Sequence, residues 1–116
     1  MPYLRGKFAT LNNATGKMLS AVGLCKKAGK LIIGFDAVAA AISRGEVCLM
    51  ALSADLSPKS AKEIIRLAER RGVKYIKTEL NMQDIGRILG KKAGILAVTD
   101  QGLAKAVELK HSHPPS

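Results

Sequence analysis

The chain has 116 residues, 47% of them hydrophobic, and its 19 Lys and Arg residues outnumber 9 Asp and Glu residues, giving a formal net charge of +10 at pH 7. This length and apolar content suit one domain with its own core, and the lack of a run of about 20 apolar residues excludes a membrane-spanning protein. Because a basic surface attracts polyanions and no signal segment opens the sequence, we expect a cytoplasmic nucleic-acid-binding protein.

The two ends of the chain differ in composition from its middle. Residues 1–16 combine Pro2, Gly6 and scattered charge without a sustained hydrophobic period, which predicts a flexible N-terminal extension. Residues 111–116 are polar and proline-terminated, which predicts a disordered tail. Residues 17–110 are therefore expected to form a single folded domain.

The first part of this domain alternates helix, strand and helix. Apolar residues recur at helical spacing from residue 17 to residue 28, and Gly29 ends the first predicted helix. Leu31–Ile33 form a short predicted strand. A second amphipathic helix follows over residues 35–42 and is closed by Gly45.

The middle of the domain contains a second strand, a third helix and a third strand. Residues 47–53 are continuously apolar, as expected for a central strand covered on both faces. Ser57 followed by Pro58 is a typical helix start, with a capping hydroxyl before proline at the first helical position. Gly72 ends that helix, and residues 73–77 form the third strand.

The last part contains a fourth helix, a fourth strand and a fifth helix. Asn81 with Asp84 resembles a capping box, and Gly90 closes the helix that it begins. Residues 95–98 read as a buried strand, and Asp100 is expected to cap the fifth helix. The inward faces of the two helices are predicted to comprise Met82, Ile85, Ile88, Leu89, Leu103, Ala106 and Val107.

Five helices interleaved with four short strands predict an α/β fold, a three-layer α/β/α sandwich with helices on both faces of one four-stranded mixed sheet. The order of the strands stays open. Cys25 and Cys48 lie in apolar contexts, and His111 and His113 lie in the tail, so we expect free, buried thiols and neither a metal nor a cofactor.

Patterns that would indicate catalysis are incomplete. Three residues rather than four separate Gly86 from Gly90, and Lys92 stands where a phosphate-binding loop has Ser or Thr. Asp55 follows a predicted central strand, as in a receiver domain, but the acidic pair that would bind magnesium is missing. The sequence therefore predicts that the protein is not an enzyme.

Basic residues and glycines concentrate in two predicted loops. The two groups are Lys26, Lys27 and Lys30 with Gly29 and Gly34, and Lys91 and Lys92 with Gly90 and Gly94. A helix that starts after Gly34 would direct free N–H groups at an anion, and glycine allows close approach of the backbone. We therefore predict that the two loops converge in space around folded RNA.

Alternatives remain open for the basic residues. Lys26 and Lys27 also fit an ordinary solvated helix end, and Arg66, Arg70 and Arg71 fit a solvated face of the third helix. Aromatic residues make up only 3% of the chain, so recognition by stacking of single-stranded bases is not expected. Structured RNA, read by shape, backbone and a few base edges, fits better.

Three segments resemble one known family. They are Lys30 to Gly45 (KLIIGFDAVAAAISRG), Leu52 to Ser57 (LSADLS) and Asp84 to Gly90 (DIGRILG). They are similar to the kink-turn-binding ribosomal-protein superfamily, the family of the archaeal ribosomal protein L-seven-Ae and the eukaryotic L-thirty-e, and most similar to its bacterial YlxQ-like branch. The similarity covers about residues 17–109.

The resemblance implies an α/β/α sandwich that binds kink-turns or related internal loops of RNA without catalysis. In the family, the loop after the first strand enters the RNA at tandem sheared G·A pairs, and a loop before the last strand covers an extruded nucleotide. The RNA-binding residues expected here are Lys26, Lys27, Lys30, Gly34, Phe35, Asp36, Ala37, Leu89, Gly90, Lys91, Lys92, Ala93 and Gly94.

The chain departs from the archaeal pattern, which has Gly-x-Asn-Glu and a Lys three residues later. Asp36, Ala37 and Ala40 occupy those three positions here, so two polar base readers and one cation are missing. Each lost bidentate contact removes roughly 1–3 kcal/mol of base discrimination, by analogy with DNA readout. We expect affinity for structured RNA to rest more on charge than in archaeal relatives.

These observations predict a monomeric, ribosome-associated protein that binds structured RNA such as rRNA, with no DNA specificity and no membrane partner. The alternative is a protein-interaction module of the same fold that has lost specific RNA recognition and acts through the helix at residues 35–42.

Overall fold

We describe the fold from a computed structural model of the protein, which describes residues 16–111. The predicted flexible extension and disordered tail lie outside these residues, apart from Gly16 and the backbone of His111. The elements in chain order are α1 (16–27), β1 (Leu31–Ile33), α2 (Phe35–Ser43), β2 (Leu49–Leu52), α3 (Pro58–Arg70), β3 (Tyr75–Lys77), α4 (Met82–Leu89), β4 (Ile95–Val98) and α5 (Gln101–His111). Among residues 16–111, no helix is both long and apolar enough to cross a membrane.

Three predicted helix caps are confirmed. The Ser57 hydroxyl accepts a hydrogen bond from the Ser60 N–H at 3.2 Å, as expected for the residue before Pro58. Asn81 Oδ1 accepts from the Asp84 N–H at 2.7 Å at the start of α4, and Asp100 Oδ2 accepts from the Leu103 N–H at 2.9 Å at the start of α5. Each cap satisfies an N–H that has no acceptor within its helix, so the local sequence determines where these helices begin.

The four strands form one mixed sheet in the order β1-β4-β2-β3. β4 pairs antiparallel with both β1 and β2, while β2 pairs parallel with β3. The two inner strands, β2 and β4, are buried at every residue. The predictions of a mixed sheet and of a central second strand are therefore confirmed.

Helices cover both faces of the sheet. On one face α1, α4 and α5 pack together through buried residues that include Val22, Leu89 and Val107. On the other face α2 and α3 pack through Ile42 and Ile64, both fully buried. This arrangement confirms the three-layer α/β/α sandwich.

Two predicted strands are longer than the observed ones. β2 begins at Leu49 rather than residue 47, and β3 begins at Tyr75 rather than residue 73. The reason is that a strand extends only as far as its neighbours: Leu49 pairs with Val98, the last residue of β4.

Three side-chain placements were also predicted wrongly. Ile88 is 48% exposed, since the buried side of α4 is formed by Ile85 and Leu89. Ala106 is exposed and Ala104 is buried in its place, because Ala104 and Val107 point towards the sheet. Cys25 is buried as expected, whereas Cys48 is only partly buried; both thiols are free.

The topology brings three helix starts to one end of the sheet. β1, β2 and β3 run in one direction and β4 runs in the opposite direction, so Gly34, Ser53, Thr78 and Gly94 mark the same end. The helices that follow β1, β2 and β3 all begin there. We call this region the helix-start end of the sheet.

Candidate nucleic-acid interface

The start of α2 is an uncapped helix N-terminus. Gly34, the residue before the helix, has φ 103° and ψ 155°, a conformation that L side chains rarely adopt, and no side chain of the described residues caps the helix. The Gly34 N–H donates to Ile95 O at 2.9 Å, which holds the turn against β4. The first-turn N–H groups of α2 have no acceptor within the helix and remain available to an anion.

The residues around this turn divide into exposed and packed side chains. Asp36 and Ala37 are exposed in the first turn of α2, whereas Phe35 is partly buried against the core between α2 and α3. Phe35 therefore contributes packing that fixes the direction of α2. Asp36 carries the only carboxylate in this first turn.

The second predicted segment, residues 89–94, returns the chain from α4 to β4. Gly90 ends α4 in the left-handed conformation, with φ 75°. A Cβ added to Gly86 would lie 3.4 Å from Cα of Lys92, so the segment runs close along α4. Lys91 and Lys92 are exposed on its outer side, and Ala93 is partly buried.

Gly94 ends this segment in a space that excludes any side chain. A Cβ at Gly94 would lie 2.8 Å from Leu56 Cδ1, 2.9 Å from Ser53 Oγ and 3.2 Å from Met82 Cε. Its φ is not positive, so glycine is required here by packing rather than by backbone conformation. The residue thus seats the segment against the end of β2 and the start of α4.

The two predicted segments touch at two places. Gly34 is bonded to Ile95, which directly follows Gly94, and Lys26 Nζ donates to the carbonyl oxygen of Leu89. The lysine of α1 therefore satisfies a carbonyl at the end of α4, where a cation also favours the helix dipole. The loop after β1 and the loop before β4 form one continuous surface.

Lys30 lies at the opposite end of the sheet from Gly34, and Lys27 follows Lys26 at the end of α1. The Thr99 N–H donates to Lys30 O at 3.0 Å, which places Lys30 at the end of β1 away from Gly34. The three-residue strand β1 lies between Lys30 and Gly34 and separates them by about 13 Å. Both lysines are exposed, and they extend the positive charge along the layer that contains α1 and α4.

The sequence indicated no role for Ser53 and Thr78, and Asp55 was considered only as part of a receiver-like site, which was rejected. All three residues stabilise the helix-start end of the sheet. Both carboxylate oxygens of Asp55 accept from the Met82 N–H, at 3.1 and 3.3 Å, and so hold the start of α4. The Thr78 hydroxyl donates to Leu52 O at 2.8 Å and accepts from the Leu80 N–H at 3.2 Å. The Ser53 N–H donates to Gly94 O at 2.9 Å. Apart from the bond between Thr78 and Leu80, these contacts join residues far apart in sequence, so local patterns could not reveal them.

The titratable groups give no sign of a metal or nucleophilic site in residues 16–111. That part of the chain contains no cluster of three or more His, Cys, Asp or Glu side chains able to hold a metal ion. Burial, and secondarily the carboxylate of Asp100, raises the pKa of the Cys25 thiol. A thiol with a raised pKa is a poor nucleophile at neutral pH.

The chain matches a known protein family along nearly all of its described length. The model of the Ribosomal protein L7Ae/L30e/S12e/Gadd45 family matches residues 16–108, and the chain belongs to that family. It is 36% identical over 84 residues to the RNA-binding protein YlxQ of Bacillus subtilis (strain 168), which covers 72% of this chain and 83% of that protein. The predicted resemblance to the family and to its YlxQ-like branch is confirmed.

Solved structures agree with the fold. A protein of unknown function from Bacillus halodurans C superposes with a TM-score of 0.77 and 26% identity, over 83% of this chain and 97% of that one. The Giardia lamblia 15.5kD RNA binding protein superposes with a TM-score of 0.71 and 16% identity, over 87% of each chain. The second likeness concerns the fold alone.

Proposed function

We propose that the protein binds structured RNA, without catalysis, through the helix-start end of the sheet and the lysines beside it. The observation that carries the proposal is the uncapped start of α2, which Gly34 holds against Ile95, directly after the segment that contains exposed Lys91 and Lys92. Free backbone N–H groups and two ammonium groups on one surface suit phosphate oxygens. The net charge of +10 supports the same ligand class.

The ligand that we propose is an internal loop of folded RNA, of kink-turn type or within rRNA. The family that the chain belongs to and the name of the Bacillus subtilis relative support an RNA ligand. The exposed carboxylate of Asp36 is placed to accept hydrogen bonds from guanine edges, while Ala37 offers no polar atom for base recognition. Binding would take place in the cytoplasm, with the protein acting as a monomer associated with the ribosome.

The direct test is a fluorescence titration against a kink-turn RNA, an rRNA internal-loop fragment and a plain RNA duplex, each at several salt concentrations. We expect one of the internal-loop RNAs to bind more tightly than the duplex. Log affinity should fall linearly with log salt, by about 0.7–0.9 for each phosphate contacted. Equal, weak binding to all three RNAs would overturn the proposal of specific recognition.

The contribution of the second segment is tested by Lys91→Gln combined with Lys92→Gln. We expect the double variant to bind the preferred RNA roughly ten-fold or more weakly, with a salt slope shallower by one to two units, since about one phosphate contact is lost with each lysine. The measurement is the same titration repeated across the salt series.

The matched control removes two cations at the opposite end of the sheet, Lys74→Gln combined with Lys105→Gln. These residues line one groove with Cys48 and Gln101. Lys74 forms an exposed ion pair with Glu108 at 3.0 Å, which contributes little to stability. If the control loses as much affinity as the Lys91 and Lys92 variant, binding depends on net charge and not on the proposed surface.

A further inference from the structure

A row of four cations runs along the outer face of α3. At 100° per residue, Lys59, Lys62, Arg66 and Arg70 fall within an arc of about 80°. The row lies opposite the two fully buried residues of the helix, Ile64 and Ala68. All four side chains are exposed. We call these four residues the α3 row.

The α3 row places like charges next to one another on the helix surface. Lys62 and Arg66, and Arg66 and Arg70, are like-charged pairs at i,i+4, which repel each other on a helix surface. The ion pairs among residues 16–111 involve Arg44, Lys74 and Arg87, so none of them includes a residue of the row. Glu63 and Glu69 flank the row on its two sides, at i,i+3 or i,i+4 from Lys59 and Arg66, and offset part of its charge. A bound polyanion would relieve this repulsion.

The position of α3 connects the row to the proposed RNA surface. α3 begins at the helix-start end, where Leu56 contacts the position of Gly94, and the row extends from there for roughly 16 Å. α3 packs on the face of the sheet opposite to α4, so the row and Lys91 with Lys92 lie on opposite sides of the sheet. Cations on both faces of the sheet suit a ligand that has two arms.

We propose that the α3 row binds the phosphate backbone of a second helical arm of the RNA whose internal loop occupies the helix-start end. This inference rests on the proposed function, because an internal loop is by definition flanked by two helical arms. One arm would pass Lys91 and Lys92, and the other would lie along α3. The arm on α3 would be recognised by charge and shape, without base reading.

The chemistry of α3 favours RNA over a membrane surface. A membrane-binding helix inserts an apolar face, but the apolar face of α3 is buried in the core through Ile64 and Ala68. The large hydrophobic side chains that are exposed in residues 16–111 are Leu24, Ile88 and Leu109, none of them on α3. The row therefore offers charge alone.

The test compares wild type with the triple variant Lys62→Gln, Arg66→Gln and Arg70→Gln on three RNAs. The probes are the internal-loop RNA preferred by wild type, with both arms long, and two versions in which one or the other arm is cut short. We expect the variant to bind the two-armed RNA roughly ten-fold or more weakly than wild type. Shortening one particular arm should abolish this difference, and shortening the other arm should preserve it.

The control variant carries Arg44→Gln, Lys74→Gln and Lys105→Gln, which remove the same charge at the opposite end of the sheet. For this control variant, the difference in affinity between the long-armed and the short-armed RNA should be the same as for wild type. Thermal unfolding separates binding from folding: the α3 variant should melt close to the wild-type temperature, because glutamine is as good a helix former as lysine and arginine and all three positions are exposed.

Three outcomes would overturn the inference while leaving the proposed function intact. The variant could bind the two-armed RNA as tightly as wild type, its loss could persist when either arm is short, or the control could show the same loss. By contrast, failure of wild type to prefer any internal-loop RNA over a duplex would contradict the proposed function itself.

Discussion

Gly94 occupies a position where a single added carbon meets three side chains. Because the approach distances to Leu56 Cδ1, Ser53 Oγ and Met82 Cε are 2.8, 2.9 and 3.2 Å, Gly94→Ala must displace the tips of these three side chains. We expect the free energy of unfolding to fall by about 1–3 kcal/mol, as for other overpacked sites. Urea denaturation followed by circular dichroism measures the change.

Gly23 provides the matched control in α1. A Cβ there would meet only Ile88 Cγ2, at 3.6 Å, which is ordinary contact. Since alanine favours a helix interior over glycine by about 0.8–1.0 kcal/mol, Gly23→Ala should leave the stability unchanged or raise it. Equal losses for the two alanine variants would contradict the steric explanation for Gly94.

The two cysteines should differ in reactivity. Burial and the nearby carboxylate of Asp100 raise the pKa of the Cys25 thiol, so its thiolate fraction at pH 8 is smaller than that of an exposed thiol. Cys48 is only partly buried. We expect one thiol to react quickly with a disulfide reagent at pH 8 and the second to react only after denaturation.

Cys48→Ala should remove the fast phase of that reaction, and Cys25→Ala should leave it in place. A fast phase that survives in the Cys48→Ala variant would show that Cys25 is more accessible than its burial indicates.

At the scale of elements, the start of α2 departs from the archaeal sequence pattern for base recognition at Asp36, Ala37 and Ala40. Restoring the archaeal pattern by Asp36→Asn, Ala37→Glu and Ala40→Lys should increase the preference for a kink-turn over a duplex. With roughly 1–3 kcal/mol per restored base contact, the gain should be at least ten-fold in relative affinity. Competition titrations of the two RNAs measure it.

Ala40→Lys alone is the control for charge. Ala40 is exposed on α2, so the added cation should strengthen binding to kink-turn and duplex alike. If the triple variant behaves like this single variant, the start of α2 does not read base edges in this protein.

Helix boundaries follow from local chemistry, which explains why the sequence predicted them well. Ser57, Asn81 and Asp100 each accept a hydrogen bond from an N–H three residues later. The strand starts of β2 and β3 were missed because they depend on partners elsewhere in the chain. The exposure of Ile88 was missed because helical period alone does not say which residue of an apolar stripe lies at its edge.

At the scale of the whole molecule, sequence patterns identified the two lysine- and glycine-rich loops but not how they meet. Their contact depends on β1 pairing with β4, the first strand with the last, which no local signal encodes. The same pairing places Lys30 away from Gly34, although the two are four residues apart. The roles of these residues in RNA binding stay predictions.

The position of Lys27 and Lys30 leads to a graded expectation. Because Lys30 lies at the opposite end of the sheet from Gly34, Lys27→Gln combined with Lys30→Gln should weaken RNA binding less than Lys91→Gln combined with Lys92→Gln. The titration of the preferred RNA in low salt makes the comparison. If the Lys27 and Lys30 variant loses more affinity than the Lys91 and Lys92 variant, the interface is centred near the end of α1 and not at the proposed surface.

The outermost strands, β1 and β3, each contain only three residues. An edge strand exposes unpaired backbone groups, to which another polypeptide can add a strand. A very short edge strand is one way to prevent this. A polyanion that gathers many copies of a cationic protein raises their local concentration, which would promote such strand addition. With so little unpaired backbone at either edge, the sheet offers only a short template to a strand from another copy.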